Sequence, residues 1–204
     1  MESEERIIQS VTDLFYRFGI KSITMDDVAR HLSMSKKTLY QVFRDKNEMV
    51  FKCCHHDLLS RDCIFKNIAV QSVDPVAELI ELIKYMEMMF SRINPNLFYD
   101  MQKYHPEAWK LYGEFKEKNM MKKIEENIAK GIAQGLYRKD INIPVVARLR
   151  MEEVEMGFNP RIYPPDKFKV AEVQVALFDN FLHGITTLKG HKLINKYKQI
   201  TEEE

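Results

Sequence analysis

Residues that break helices are scarce in this sequence. Glycine and proline number seven each in 204 positions, with no Gly-rich loop and no repeat of either. That scarcity excludes collagen-like and low-complexity chains. The three cysteines are an odd number, with Cys53 and Cys54 adjacent. They do not read as a disulfide framework, and reduced thiols are expected. No run of about 18 apolar residues occurs, so no membrane span is expected. The first five residues, Met1-Glu2-Ser3-Glu4-Glu5, are acidic where a secretory signal is basic and then apolar, which favours a cytoplasmic location. A phosphate loop, a nucleophile elbow and a complete metal motif are all missing, so neither an enzyme nor a cofactor is expected. Net charge is only +1.

What the chain does contain is helical periodicity over an apolar fraction of 45%. Ile7, Ile8, Val11, Leu14, Phe15 and Phe18 fall on one helical stripe, which Gly19 stops. Thr24 with Asp27 reads as a capping box opening a second helix whose inner side is Val28, Ala29 and Leu32. Ser33-Met34-Ser35 interrupts the pattern, and Ser35 caps a third short helix to about Phe43, with Leu39, Val42 and Phe43 inward. Asp45 and Glu48 repeat the capping signature before a longer helix, Lys46 to about Phe65. Further helices are predicted from Pro75 to about Ile93, from Pro106 to about Gln134 and from Pro144 to about Met156. A last one runs from Lys167 to about Leu188, stopped by Gly190. With no strand-like alternation, the fold class is all-α.

Two short helices meeting at a tight turn, residues 24–43, suit a helix-turn-helix in which the first helix braces a second that enters the major groove. Between Arg17 and Lys46 lie seven basic residues against three acidic ones. Lys36, Lys37, Thr38 and Gln41 offer donors to base edges or phosphates, Thr24, Tyr40 and Lys46 suit phosphate gripping, and the cap residue Ser35 completes the DNA-binding set. The segments Ile23-Thr24-Met25-Asp26-Asp27-Val28-Ala29, Ser35-Lys36-Lys37-Thr38-Leu39-Tyr40-Gln41-Val42-Phe43 and Lys46-Asn47-Glu48 resemble the DNA-binding signature of TetR-family transcriptional regulators. One departure is Ser33, where the family often has Gly; a left-handed backbone at Ser costs of order 1 kcal/mol.

The resemblance implies a DNA-binding domain at residues 1–46 and a helical ligand-binding and dimerisation domain at 47–204. It also implies a homodimeric, ligand-released repressor on a double-stranded, pseudo-palindromic operator. A small-molecule effector would sit among the Met and aromatic side chains of the middle region, with Met86, Met89, Phe90, Tyr104, Trp109 and Tyr112 as candidates. A stripe of Val173, Leu177, Phe181 and Ile185 would pair subunits. Cys53, Cys54, His56 and Cys63 share a helix, but adjacent helical residues diverge, so the ligand shell is incomplete and buried thiols beside surface histidines are the plainer reading. An interaction module that binds protein instead of DNA is the competing reading, and salt-dependent DNA binding separates the two.

Overall fold

The computed structural model describes residues 4–199, and its regular elements are all helices. Their order is α1 (Glu4–Phe18), α2 (Met25–His31), α3 (Lys36–Val42), α4 (Lys46–Gln71), α5 (Pro75–Phe90), α6 (Leu97–Tyr104) and α7 (Pro106–Phe115). A π-helical turn (Lys116–Met120) follows, then α8 (Met121–Ala133), α9 (Ile143–Gly157), α10 (Val170–Ile185) and α11 (Leu188–Lys198). No strand occurs among the described residues, where the nearest approach to one is an isolated bridge between Tyr137 and Thr186.

By internal contacts the chain falls into two compact units, Met1–Arg61 with Arg92–Phe115 and Asp62–Ser91 with Lys116–Glu204. This partition by packing differs from the division at residue 46 that the resemblance implies. Helices α6 and α7 join the first unit because specific bonds tie them to the head. The Asn94 N–H donates to the Tyr16 carbonyl, Asp100 accepts from the Lys21 N–H at 2.8 Å, and His105 bonds Asn47 at 2.7 Å.

The second unit is built on α5, α10 and α11. Val76, Leu79, Ile80, Phe178, Leu182 and Ile194 share one buried cluster, each such side chain contributing roughly 1.5–3 kcal/mol by leaving water. Within it the Tyr137 hydroxyl lies 2.9 Å from the Pro75 carbonyl and 3.0 Å from Asn127 Oδ1.

Several elements differ from the sequence expectation: a π-helical turn breaks the helix expected from Pro106 to Gln134, and the one expected from Lys167 to Leu188 spans Val170–Ile185 and is followed by the additional α11. Helix α4 runs six residues past Phe65, to Gln71. Helix α6 is additional; it starts at Asn96 with no side-chain cap bond, so it lacks the signal that betrays the other starts. Gly190 does not end a helix. It lies in the first turn of α11, where a Cβ would come within 2.4 Å of the Leu136 carbonyl, so the residue is needed for close approach.

Candidate DNA-binding face

The head is assembled from caps. Asp27 N–H donates to Thr24 Oγ1 at 3.2 Å, while Asp27 Oδ2 accepts from the Thr24 N–H at 3.0 Å, the reciprocal box the spacing predicts. The Thr24 hydroxyl also bonds Asp27 at 2.6 Å and holds its carboxyl below the usual range. At α3, Thr38 N–H donates to Ser35 Oγ at 3.0 Å, and the two hydroxyls lie 2.7 Å apart. At α4, Glu48 N–H donates to Asp45 at 2.9 Å, but the Glu48 carboxylate reaches back to the N–H of Arg44, one residue earlier than a simple box requires.

Between α2 and α3 the turn takes a defined form. Ser33 has φ 52°, its N–H donates to the Arg30 carbonyl, and the Met34 N–H donates to the Ala29 carbonyl. That pair of bonds is the Schellman arrangement, which places a left-handed residue just past the helix. The same chain uses it after α8, with Gly135 at φ 69° and the matching bonds to Ile132 and Gly131. Ser33 therefore occupies a glycine position, as its departure from the family pattern suggests.

This scaffold buries Val28, Ala29, Leu39 and Phe43 and leaves Lys36, Lys37, Thr38, Tyr40 and Gln41 exposed on α3. The outward residues do not all stand free. Lys36 is 2.7 Å from Asp26, which raises its pKa, and Thr24, Ser35 and Thr38 are engaged in caps. Among the described residues, Lys37 and Gln41 have no hydrogen bond or ion pair within the chain. Lys46, at the first position of α4, reaches the Lys21 carbonyl at 3.5 Å, and partial burial lowers its pKa.

The six effector candidates divide between the units. Trp109 and Tyr112 lie together, ring centres 5.3 Å apart, with Phe98 edge-on to both, while Tyr104 is exposed between the ammonium groups of Lys21 and Lys103. In the second unit Phe90 packs edge-on against Phe158 at 5.2 Å, Met86 borders the core cluster, and Met89 is half-buried. Of the α10 stripe, Val173, Phe181 and Ile185 are buried within their own unit and Leu177 is half-buried. A stripe at this spacing marks an inner helix face equally well. Cys53 is buried, Cys54 half-buried and Cys63 exposed; burial pushes the Cys53 and Cys54 thiols up to about 12, so both are protonated at neutrality. His56 faces Glu5 at 3.8 Å.

Periodicity gave no sign of a buried polar pair joining α9 and α10. Arg150 is 1% exposed, its guanidinium 4.5 Å from the Phe178 ring and 3.1 Å from Glu153, with Nε and Nη2 unpartnered. Gln174, also 1% exposed, donates to the Val154 carbonyl at 2.8 Å and leaves Oε1 unpartnered. An arginine within a helix pattern reads as surface, so only packing exposes this feature.

Comparison with known proteins agrees with this geometry. Residues 7–53 match the model of bacterial regulatory proteins of the tetR family. An HTH-type transcriptional regulator of Bacillus subtilis (strain 168), YvaF, is 26% identical over 189 residues, covering 90% of this chain and 95% of that one. Among solved structures, a TetR-family regulator from Agrobacterium tumefaciens superposes with a TM-score of 0.71 at 17% identity, over 90% of this chain and 97% of that one. A transcriptional regulator from Saccharomonospora viridis, solved in complex with choline, also scores 0.71, at 16% identity and the same coverage. No helix among the described residues is long and apolar enough to cross a membrane. The head thus matches the DNA-binding region of tetR-family regulators over residues 7–53, and the fold over about nine-tenths of the chain is like that of solved TetR-family regulators.

Proposed function

We propose that the chain is a homodimeric repressor that docks two copies of α3 in successive major grooves of a pseudo-palindromic operator and leaves it when a small molecule binds. The observation that carries this reading is the division of α3 into a buried side, Leu39 with Phe43 behind it, and an exposed polar side offering Lys37, Tyr40 and Gln41. Lys37 and Gln41 reach base edges; Tyr40, Lys36 and Lys46 hold phosphates. Thr24, Ser35 and Thr38 contribute by fixing the two helix starts against the backbone. Half-sites about 34–36 Å apart suit such a dimer. The protein acts in the cytoplasm, where its operator lies. In functional terms, residues 1–46 read DNA and 47–204 receive the effector and the second subunit.

Support for pairing comes from α9, where Val145 and Leu149, one turn apart, are 60% and 55% exposed. On α10 the exposed positions are Glu172, Ala176, Asn180 and Gly184, of which the small Ala176 and Gly184 permit close approach of a second helix. Val173, Phe181 and Ile185 then back that face from inside. Support for an effector in the second unit comes from Arg150 and Gln174, whose unpartnered buried atoms suit a polar group on an otherwise apolar molecule. A regulator of like fold from S. viridis was solved with choline, a small organic molecule, and that likeness supports this reading.

The test is selection of bound genomic fragments by the purified chain and by Lys37→Ala and Tyr40→Ala. A palindrome recovered by the parent and lost by both variants is expected. Unselective capture by all three would overturn the reading.

A further inference from the structure

In the first unit, several basic side chains in and beside the head are already neutralised. Arg30 pairs with Asp27, Lys36 with Asp26, Arg44 with Asp45, and Lys52 with Glu4 and Glu48. Lys46, Lys21 and Lys103, like Lys37, differ: among the described residues none has a carboxylate within ion-pair distance.

These three are also contiguous. Lys46 reaches the Lys21 carbonyl, and the Lys21 N–H is anchored to the buried Asp100 of α6 at 2.8 Å. The Lys21 ammonium lies 5.4 Å from the centre of the Tyr104 ring, and Lys103 Nζ lies 5.3 Å from the same centre. Lys103 further donates to the Tyr99 hydroxyl at 2.9 Å. Tyr99 and Tyr104 are 43% and 37% exposed. Two cations sharing one phenol hold its pKa below the ordinary value, Lys21 first and Lys103 after it.

A cation row held by backbone bonds and aromatic faces, with Asp100 and Asp27 acting on Lys46 only from beyond ion-pair distance, retains charge for an outside anion. The row begins at Lys46, beside the head's DNA face, and extends along α6. We infer that Lys21, Lys103 and the Tyr104 hydroxyl form a second backbone-gripping edge that engages duplex phosphates flanking those held by the head. This rests on the DNA-binding reading above, which assigns no role to α6. The contacts would be sequence-blind, adding affinity and lengthening the protected site without altering which bases are read.

The experiment is a titration of mixed-sequence linear duplex DNA with the full-length chain over a salt series, followed by fluorescence anisotropy. Each phosphate contact adds about 0.9 to the slope of log K against log salt. Lys103→Ala and Lys21→Ala should each lower the slope by about one per protomer, as Lys46→Ala does at the phosphate contact of the head. Lys110→Ala, an exposed lysine on α7, should leave it unchanged. Tyr104→Phe keeps the ring and tests the hydroxyl, with a smaller loss of affinity expected. A parental slope for Lys103→Ala and Lys21→Ala, with Lys46→Ala still reduced, overturns this inference and leaves the DNA-binding reading intact. A parent chain with no salt-dependent binding overturns both. Circular dichroism of each variant separates loss of contact from loss of fold.

Discussion

Ser33 shows how one side chain can sit against its own backbone preference. A left-handed φ costs an L-residue with a Cβ of order 1 kcal/mol, and the two Schellman bonds between α2 and α3 hold Ser33 there. Gly135 adopts the same conformation after α8 without that penalty. Ser33→Gly should therefore stabilise the head by up to about 1 kcal/mol, less what glycine gains in unfolded-chain entropy. Urea unfolding followed by far-UV circular dichroism reads the sign. A lower midpoint would mean that the serine side chain supplies a compensating interaction. At neighbouring positions, charge on the recognition helix is partly spoken for, because Lys36 is paired with Asp26 whereas Lys37 is not.

At the scale of elements, the head depends on carboxylates at helix starts. Asp27 is held below the usual carboxylate range by the hydroxyl and N–H of Thr24, and Asp45 by the Glu48 N–H. A folded-state pKa below the unfolded one means that stability is present above the unfolded value, about 3.9 for aspartate, and is lost as pH falls through the lower folded value. In Asp27→Asn the box loses its charge at every pH. The variant should melt below the parent at pH 6, and the gap should narrow as the pH falls below the unfolded value of about 3.9, where the advantage of the parent's charged carboxylate is progressively lost. A gap independent of pH would show that the charge is immaterial. Helix starts were legible for this same reason: Thr24 with Asp27, Ser35, and Asp74 before Pro75 are local signals acting within three or four residues. Helix α6 has no such side-chain cap, and its presence follows instead from long-range bonds to the head.

Across the whole molecule, buried polar groups impose specificity that apolar packing alone lacks. In the second unit, Asn127 donates to the Pro75 carbonyl and the Tyr137 hydroxyl sits between that carbonyl and Asn127 Oδ1. Tyr137→Phe keeps the ring against Gly131, where no Cβ would fit, but strips a buried acceptor of its partner. A loss of roughly 1–3 kcal/mol is expected. Chemical unfolding should show it, while binding of DNA by the folded variant stays at the parental level. A neutral substitution would mean that Asn127 rearranges to satisfy itself.

Local chemistry in the sequence by itself determined the all-α class, the capped helices of the head and the outward residues of α3, because caps, turns and 3.6-residue periodicity act over a few positions. Tertiary structure alone decided what each apolar stripe faces. Phe181 and Ile185 carry the spacing expected of a subunit interface yet lie in the core of their own unit, and the effector candidates fall into two units rather than one group. Periodicity records that a face is buried and says nothing of its partner. The same limit hid Arg150, which one-dimensional reading assigns to solvent and packing places beneath Phe178, and the cation row of Lys46, Lys21 and Lys103, whose members come together only when α6 folds onto the head.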